Sequence, residues 1–185
     1  MSFSVSRASL DVCTRMLGSL AAFLVKADEY AAARKLEPQA LLTARLFPDM
    51  FTLTRQVQAA TDAARNVARL AGQEPLKMES TETTFAELGV RIAKTLEFLN
   101  GLDKAQLEAA AEKIIAFPMG TQTMQMPAPD YVFDVILPNF TFTSQLRTRS
   151  CATTAWKLGS VIIWECAESA SEIDKKGWVF RVFCG

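Results

Sequence analysis

Hydrophobic residues recur along the first hundred positions at steps of three and four, the spacing that keeps apolar side chains on one face of a helix. Leu10, Cys13, Leu17, Leu20 and Leu24 form such a stripe, and it predicts a first helix from about Ser6 to about Lys35, with "EYAAARK" extending it in strong helix formers. Pro38 opens a short helical piece, "PQALLTARL". A second long helix is expected after Pro48, on a face of Met50, Leu53, Val57, Ala60, Ala64, Val67 and Ala71. Its alanines let a neighbouring helix come close, and Gly72 and Pro75 end it. In "TFAE", Thr84 and Glu87 have the spacing of a capping box, and Phe85, Leu88, Ile92, Leu96 and Leu99 supply the buried face of a third helix that stops at Gly101. A short polar helix, "KAQLEAAAEK", follows.

The period then changes. "KIIAF", a turn at "PMGT", and "QTMQM" predict a small β-hairpin. A fourth helix, capped by Asp130 and starting "YVFDVIL", is expected to lose one backbone hydrogen bond and bend at Pro138. Beyond Phe142 the periodicity dissolves. "TSQLRTRSCATTAWKLGS" has no persistent apolar stripe, and "SVIIWECA" prefers a strand without an evident partner. The expected architecture is all-α, with a hairpin before the last helix and that helix truncated or disrupted.

Composition narrows the function classes. A chain of 185 residues is read as one domain with room for a core. Twenty basic residues balance twenty acidic ones, which argues against a nucleic-acid partner and makes a helix-turn-helix DNA-binding reading the weakest alternative. No apolar run of spanning length and no signal peptide is evident, so no membrane partner is expected. Four unclustered cysteines suggest a reduced, cytoplasmic setting. There is no histidine, which removes His-based metal sites and Ser/His or Cys/His dyads. No metal site and no cofactor is expected from these residues.

Three stretches, "ARLFPDMFTLTRQVQAATDAA" (44–64), "ESTETTFAELGVRIAKTLEFL" (79–99) and "DYVFDVILPNF" (130–140), resemble a fungal and bacterial family of unknown function within the DinB-like superfamily. The resemblance covers about residues 1–142 and implies a DinB-like four-helix bundle with a small hairpin before the last helix, dimeric by analogy. The superfamily includes metal-dependent enzymes that use low-molecular-weight thiols, with one metal-binding histidine on the second helix and two on the fourth. Here the second helix offers Gln56 and Gln58, and the fourth offers no histidine.

After "PNF" the resemblance implies a histidine and a further helix, which this chain lacks. With synonymous codons chosen to fit, the text from Thr143 re-reads, one base displaced, as HVTTAYAILRHNGVEVGKCDYLGMR followed by a stop. The expectation is a single-base frameshift near Phe142, dividing the chain into a DinB-like domain at 1–142 and an out-of-frame tail at 143–185.

Candidate ligand-pocket residues are Gln56, Tyr131, Asp134 and Asn139. Gln56 has the position to face the bundle interior, or to satisfy buried polar groups as a plain amide. Tyr131, Asp134 and Asn139 share the fourth helix, where Asn139 can also bond carbonyls freed by Pro138. Asp49 and Arg55 have the positions to pair or to bind an anion at the start of the second helix, but Asp49 reads first as a favourable charge near a helix N-terminus. Cys13 reads as a small buried hydrophobe. Met119, Met124 and Met126 have the positions to border a hydrophobic pocket, with hairpin packing as the default. The leading expectation is a small-molecule-binding or non-catalytic homodimeric module. The alternative is a thiol-dependent, transferase-like metalloenzyme whose histidine was lost with the frame.

Overall fold

The computed structural model describes residues 4–45 and 47–141. The expected frameshift, the tail domain at 143–185 and any truncation of the last helix lie outside the described residues. What is described is mostly helical, with one two-stranded antiparallel hairpin.

A π-helical turn at Arg7–Asp11 leads into α1, Val12–Arg34, which ends with Lys35 in the left-handed region at φ 53°. The whole expected stripe, Leu10, Cys13, Leu17, Leu20 and Leu24, is buried. The start of this helix is held from a distance. Ser6 N–H and the Ser4 and Ser6 hydroxyls donate to Glu108 Oε1 at 3.0, 2.6 and 2.6 Å, and Val5 N–H donates to Oε2 at 3.2 Å. A carboxylate about a hundred residues away thus meets the unpaired amides that every helix N-terminus presents.

The hydrogen bonds from Ser4 and then Ser6 pull the Glu108 carboxyl down to about 2 from an ordinary 4.5. A depressed folded-state pKa stabilises above the unfolded value and loses that contribution as pH falls through the folded one. Thermal stability is therefore expected to fall between about pH 4.5 and 2, and Glu108→Gln to lose that part of the slope in melting curves recorded across this range. A variant as acid-sensitive as the parent would contradict the capping role.

The helical run Arg7–Arg34 has 28 residues and holds an 18-residue window of mean hydropathy 1.4, long and apolar enough by length and composition to cross a membrane. This corrects the expectation that no such run exists. Asp11 and Arg15, with Ser9, Thr14, Gly18 and Ser19, break any continuous apolar stretch, but the leucines, alanines and valines around them keep the window average high. In the fold, the buried stripe of α1 packs on α4.

Helix α2, Pro38–Leu42, starts on its proline as expected. The next helix begins later than Met50. Residues 47–50 form a turn, Thr52 accepts from Arg55 N–H, and α3 runs Leu53–Arg65 before tightening into a 3-10 segment, Asn66–Ala71. Gly72 closes it at φ 73°, a left-handed position that favours glycine. Leu53, Val57, Ala60, Ala64 and Val67 are buried, and α3 lies against α4.

Helix α4, Phe85–Asn100, carries the full capping box of Thr84 and Glu87. Phe85, Leu88, Ile92 and Leu99 are buried, while Leu96 is half-buried. Between α1 and α3, α4 is central to the packing. Helix α5, Lys104–Glu108, is shorter than its polar sequence suggested and is capped by Asp103.

Strands β1, Ile114–Met119, and β2, Gln122–Pro127, pair with Met119 opposite Gln122. The turn is therefore Gly120–Thr121, tighter than the expected "PMGT". Gly120 takes φ 63° at the first central position, where a type II′ turn calls for glycine. In a two-residue hairpin the flanking pair is hydrogen-bonded and bonded pairs then alternate. Pro118 and Pro127 consequently fall at non-bonded positions, where their missing N–H costs no ladder bond. The same alternation continues past the strand: Ala128 N–H donates to Lys113 O at 2.9 Å.

That bond starts the last helix. Asp130 makes no side-chain cap, because α6, Ala128–Asp130, has already begun two residues earlier behind Pro127. The helix continues in a π register over Tyr131–Ile136 and stays helical through residue 141. Pro138 thus removes one backbone donor without ending the helix. The wide turns lie just ahead of it, and Asn139 Nδ2 donates to Val135 O at 2.7 Å.

Candidate functional site

The 3-10 segment at the end of α3 puts residues three apart in line, so Asn66 and Arg69 point along one edge. The hairpin crosses beside them. Its inward residues, Ile115 and Phe117, are buried, and the Phe117 ring meets that of Tyr131 with centroids 4.8 Å apart at 38°. One turn into the last helix, Tyr131 is therefore fixed by packing, and Asp134, Val135 and Asn139 follow along the same side.

These elements enclose a cleft of about 400 Å³. Asn66, Arg69, Tyr131, Asp134 and Asn139 supply its polar groups, and Phe117, Pro118, Met119 and Val135 its apolar wall. Three of the four sequence candidates, Tyr131, Asp134 and Asn139, meet here. Burial pushes the Tyr131 phenol up to about 12, against the opposing pull of the Arg69 charge, so it stays protonated at neutral pH. The Arg69 side chain is 17 % exposed. Its Nε is buried without a hydrogen-bond partner among the described residues, and its Nη1 lies 3.5 Å from Glu74, which is 82 % exposed. Asp134 and Asn139 sit on the open rim.

Gln56 is elsewhere. It is buried in the first turn of α3, thirteen residues before Arg69, with Nε2 donating to Phe51 O at 2.9 Å. Arg55 reaches Ser80 Oγ at 3.3 Å and stacks over Phe51, while Asp49 lies in the exposed turn before the helix. Cys13 is fully buried, and burial pushes its thiol up to about 12. Of the hairpin methionines, Met126 packs on the core and Met119 borders the cleft.

The histidine set implied by the superfamily resemblance does not fit this chain. There is no histidine in the sequence. The amide of Gln56 already serves a backbone carbonyl. Among the described residues no group of three His, Cys, Asp or Glu is placed to hold a metal ion.

A second polar cluster escaped the sequence reading. Arg91 is fully buried between α3 and α4. Its Nε donates to Thr61 Oγ1 at 2.7 Å, Nη1 to Glu82 Oε1 at 2.8 Å and to Glu79 O at 2.6 Å, and Nη2 to Asp62 Oδ1 at 2.6 Å. Arg65 shares Asp62 and reaches Leu76 O, and Gln58 Nε2 donates to Glu82 Oε2 at 2.9 Å. Burial alone would raise the Glu82 carboxyl. The Arg91 hydrogen bond, its own backbone amide and Gln58 outweigh that and hold it below the usual carboxylate range. The signal was present: Arg91 stands on the apolar face of its helix, between Leu88 and Thr95. The cluster ties the 72–84 connection onto the two helices.

Residues 6–146 match a family described as a domain of unknown function, DUF1993. The chain belongs to the DUF1993 family. A crystal structure titled as a DinB family member protein from Shewanella denitrificans is similar in fold, with a TM-score of 0.70 and 28 % identity over 95 % of this chain and 94 % of that one. No curated protein matches the chain. This DUF1993 domain therefore has a DinB-like fold, mostly helical with a small hairpin, as the three quoted stretches led one to expect.

Proposed function

We propose that this DUF1993 chain is a four-helix, small-molecule-binding module that acts without a metal of its own. The observation that carries the reading is the convergence of Arg69, Tyr131, Asp134 and Asn139 on one apolar-walled cleft of about 400 Å³. Small-molecule sites span about 300–1,000 Å³ and combine an apolar lining with a few placed polar groups. A fragment library followed by ligand-observed NMR tests it. Binders of the 185-residue chain are expected to lose binding to Asn139→Trp, which fills the cleft from its exposed rim. Binders indifferent to that change, or no binders at all, would sink the reading. A homodimer, tested by light scattering, belongs to the same proposal.

The second reading is a thiol-dependent, transferase-like metalloenzyme in a frame-restored chain. It is supported by the re-read text after Phe142, which opens with a histidine. The nucleotide sequence across codons 138–168, in genomic DNA and message, tests the frame. One transition metal per frame-restored chain would favour the enzyme, and none would favour the binding module.

A further inference from the structure

We infer that the cleft takes a small organic carboxylate, its charge meeting Arg69 and its apolar body lying on Phe117 and Met119. This rests on the small-molecule reading above and narrows it to one ligand class.

The floor of the cleft is rich in donors. Arg69 stands on a rigid 3-10 turn, mostly buried, with an Nε that meets no partner among the described residues. Glu74 neutralises it weakly, being exposed and 3.5 Å away, where solvent screens the pair. Among the described residues this guanidinium meets only that one distant acceptor, and a carboxylate matches its planar fork with two parallel hydrogen bonds. Tyr131 lies beside it with its phenol protonated, as burial requires. The acidic group of the cleft, Asp134, sits on the solvated rim instead, where its charge counts for less. Buried positive charge below and exposed negative charge above select an anion that is small enough to reach the floor. The wall of Phe117, Pro118 and Met119 asks for an apolar remainder.

Benzoate, benzamide and benzylamine share a shape and differ in charge, so their affinities for the 185-residue chain isolate the charge term. Benzoate is expected to bind about tenfold or more tightly than benzamide, the worth of one charge-assisted pair. Arg69→Gln should abolish that advantage while Asp134→Asn leaves it intact. Melting curves verify folding, and should Arg69→Gln not fold, Arg69→Lys is expected to weaken the preference by loss of the fork. Equal binding of all three probes, lost in Asn139→Trp, would overturn the carboxylate class and leave the small-molecule reading standing. Benzoate binding unchanged in Arg69→Gln, or absent from the parent chain, overturns the inference outright.

Discussion

Replacing Arg91 by alanine is expected to lower the free energy of unfolding by about 3–5 kcal/mol, the usual cost of removing one partner from a buried ion pair. The side chain is fully buried and serves two carboxylates, a hydroxyl and a backbone carbonyl at 2.6–2.8 Å. Without it, Glu82, itself only 12 % exposed, keeps its charge in a place that burial alone would disfavour. Thr61 loses a donor, and the 72–84 connection loses its tie to α4. Glu82→Gln removes a charge but keeps a hydrogen-bonding group, so it should cost less. For a chain of this size about 1 kcal/mol moves the melting temperature by about 2–4 °C. Arg91→Ala should therefore melt about 6–20 °C below the parent. Equilibrium denaturation gives the number, and a loss under about 1 kcal/mol would mean that the cluster is solvated in practice.

Phe140→Ala is expected to cost a similar amount, about 3–5 kcal/mol, through lost burial and the cavity left behind. Phe140 is fully buried near the end of the described last helix, two residues beyond Pro138. Its burial means that the helix is still packed on the core where the sequence periodicity fails. Thr141→Ala is the control. Its hydroxyl bonds the Leu137 carbonyl within its own helix, and its removal should change stability by no more than about 1 kcal/mol. If Phe140→Ala proves as mild as Thr141→Ala, the last turn does not contribute to the core.

Much of this fold could be read from residue spacing. The stripe on α1, the Thr84–Glu87 box and the Gly72 stop each depend on residues within a few positions of one another, and each stands as expected. The errors fell where a neighbouring element decides the local outcome. The hairpin turn tightened to Gly120–Thr121 because register places both strand prolines at non-bonded positions. The last helix began at Ala128 because the Lys113 carbonyl was there to receive its amide. Neither partner is close enough in sequence to show in a periodicity.

The candidate site divides in the same way. Tyr131, Asp134 and Asn139 were legible because one helix places them along one side. Arg69 was not, since it comes from the end of α3 and reaches the cleft only through the packing of that helix against the hairpin. Gln56 suggested the pocket by analogy of position and lies instead at the far end of α3, engaged with Phe51. Sequence alone determined the helical class, the family and the absence of histidine, because periodicity, motif and composition are local or additive properties. Tertiary structure alone decided the Arg91 cluster, the Glu108 cap on the first helix and the cleft around Arg69, because each joins groups tens of residues apart whose energies exist only once burial brings them together.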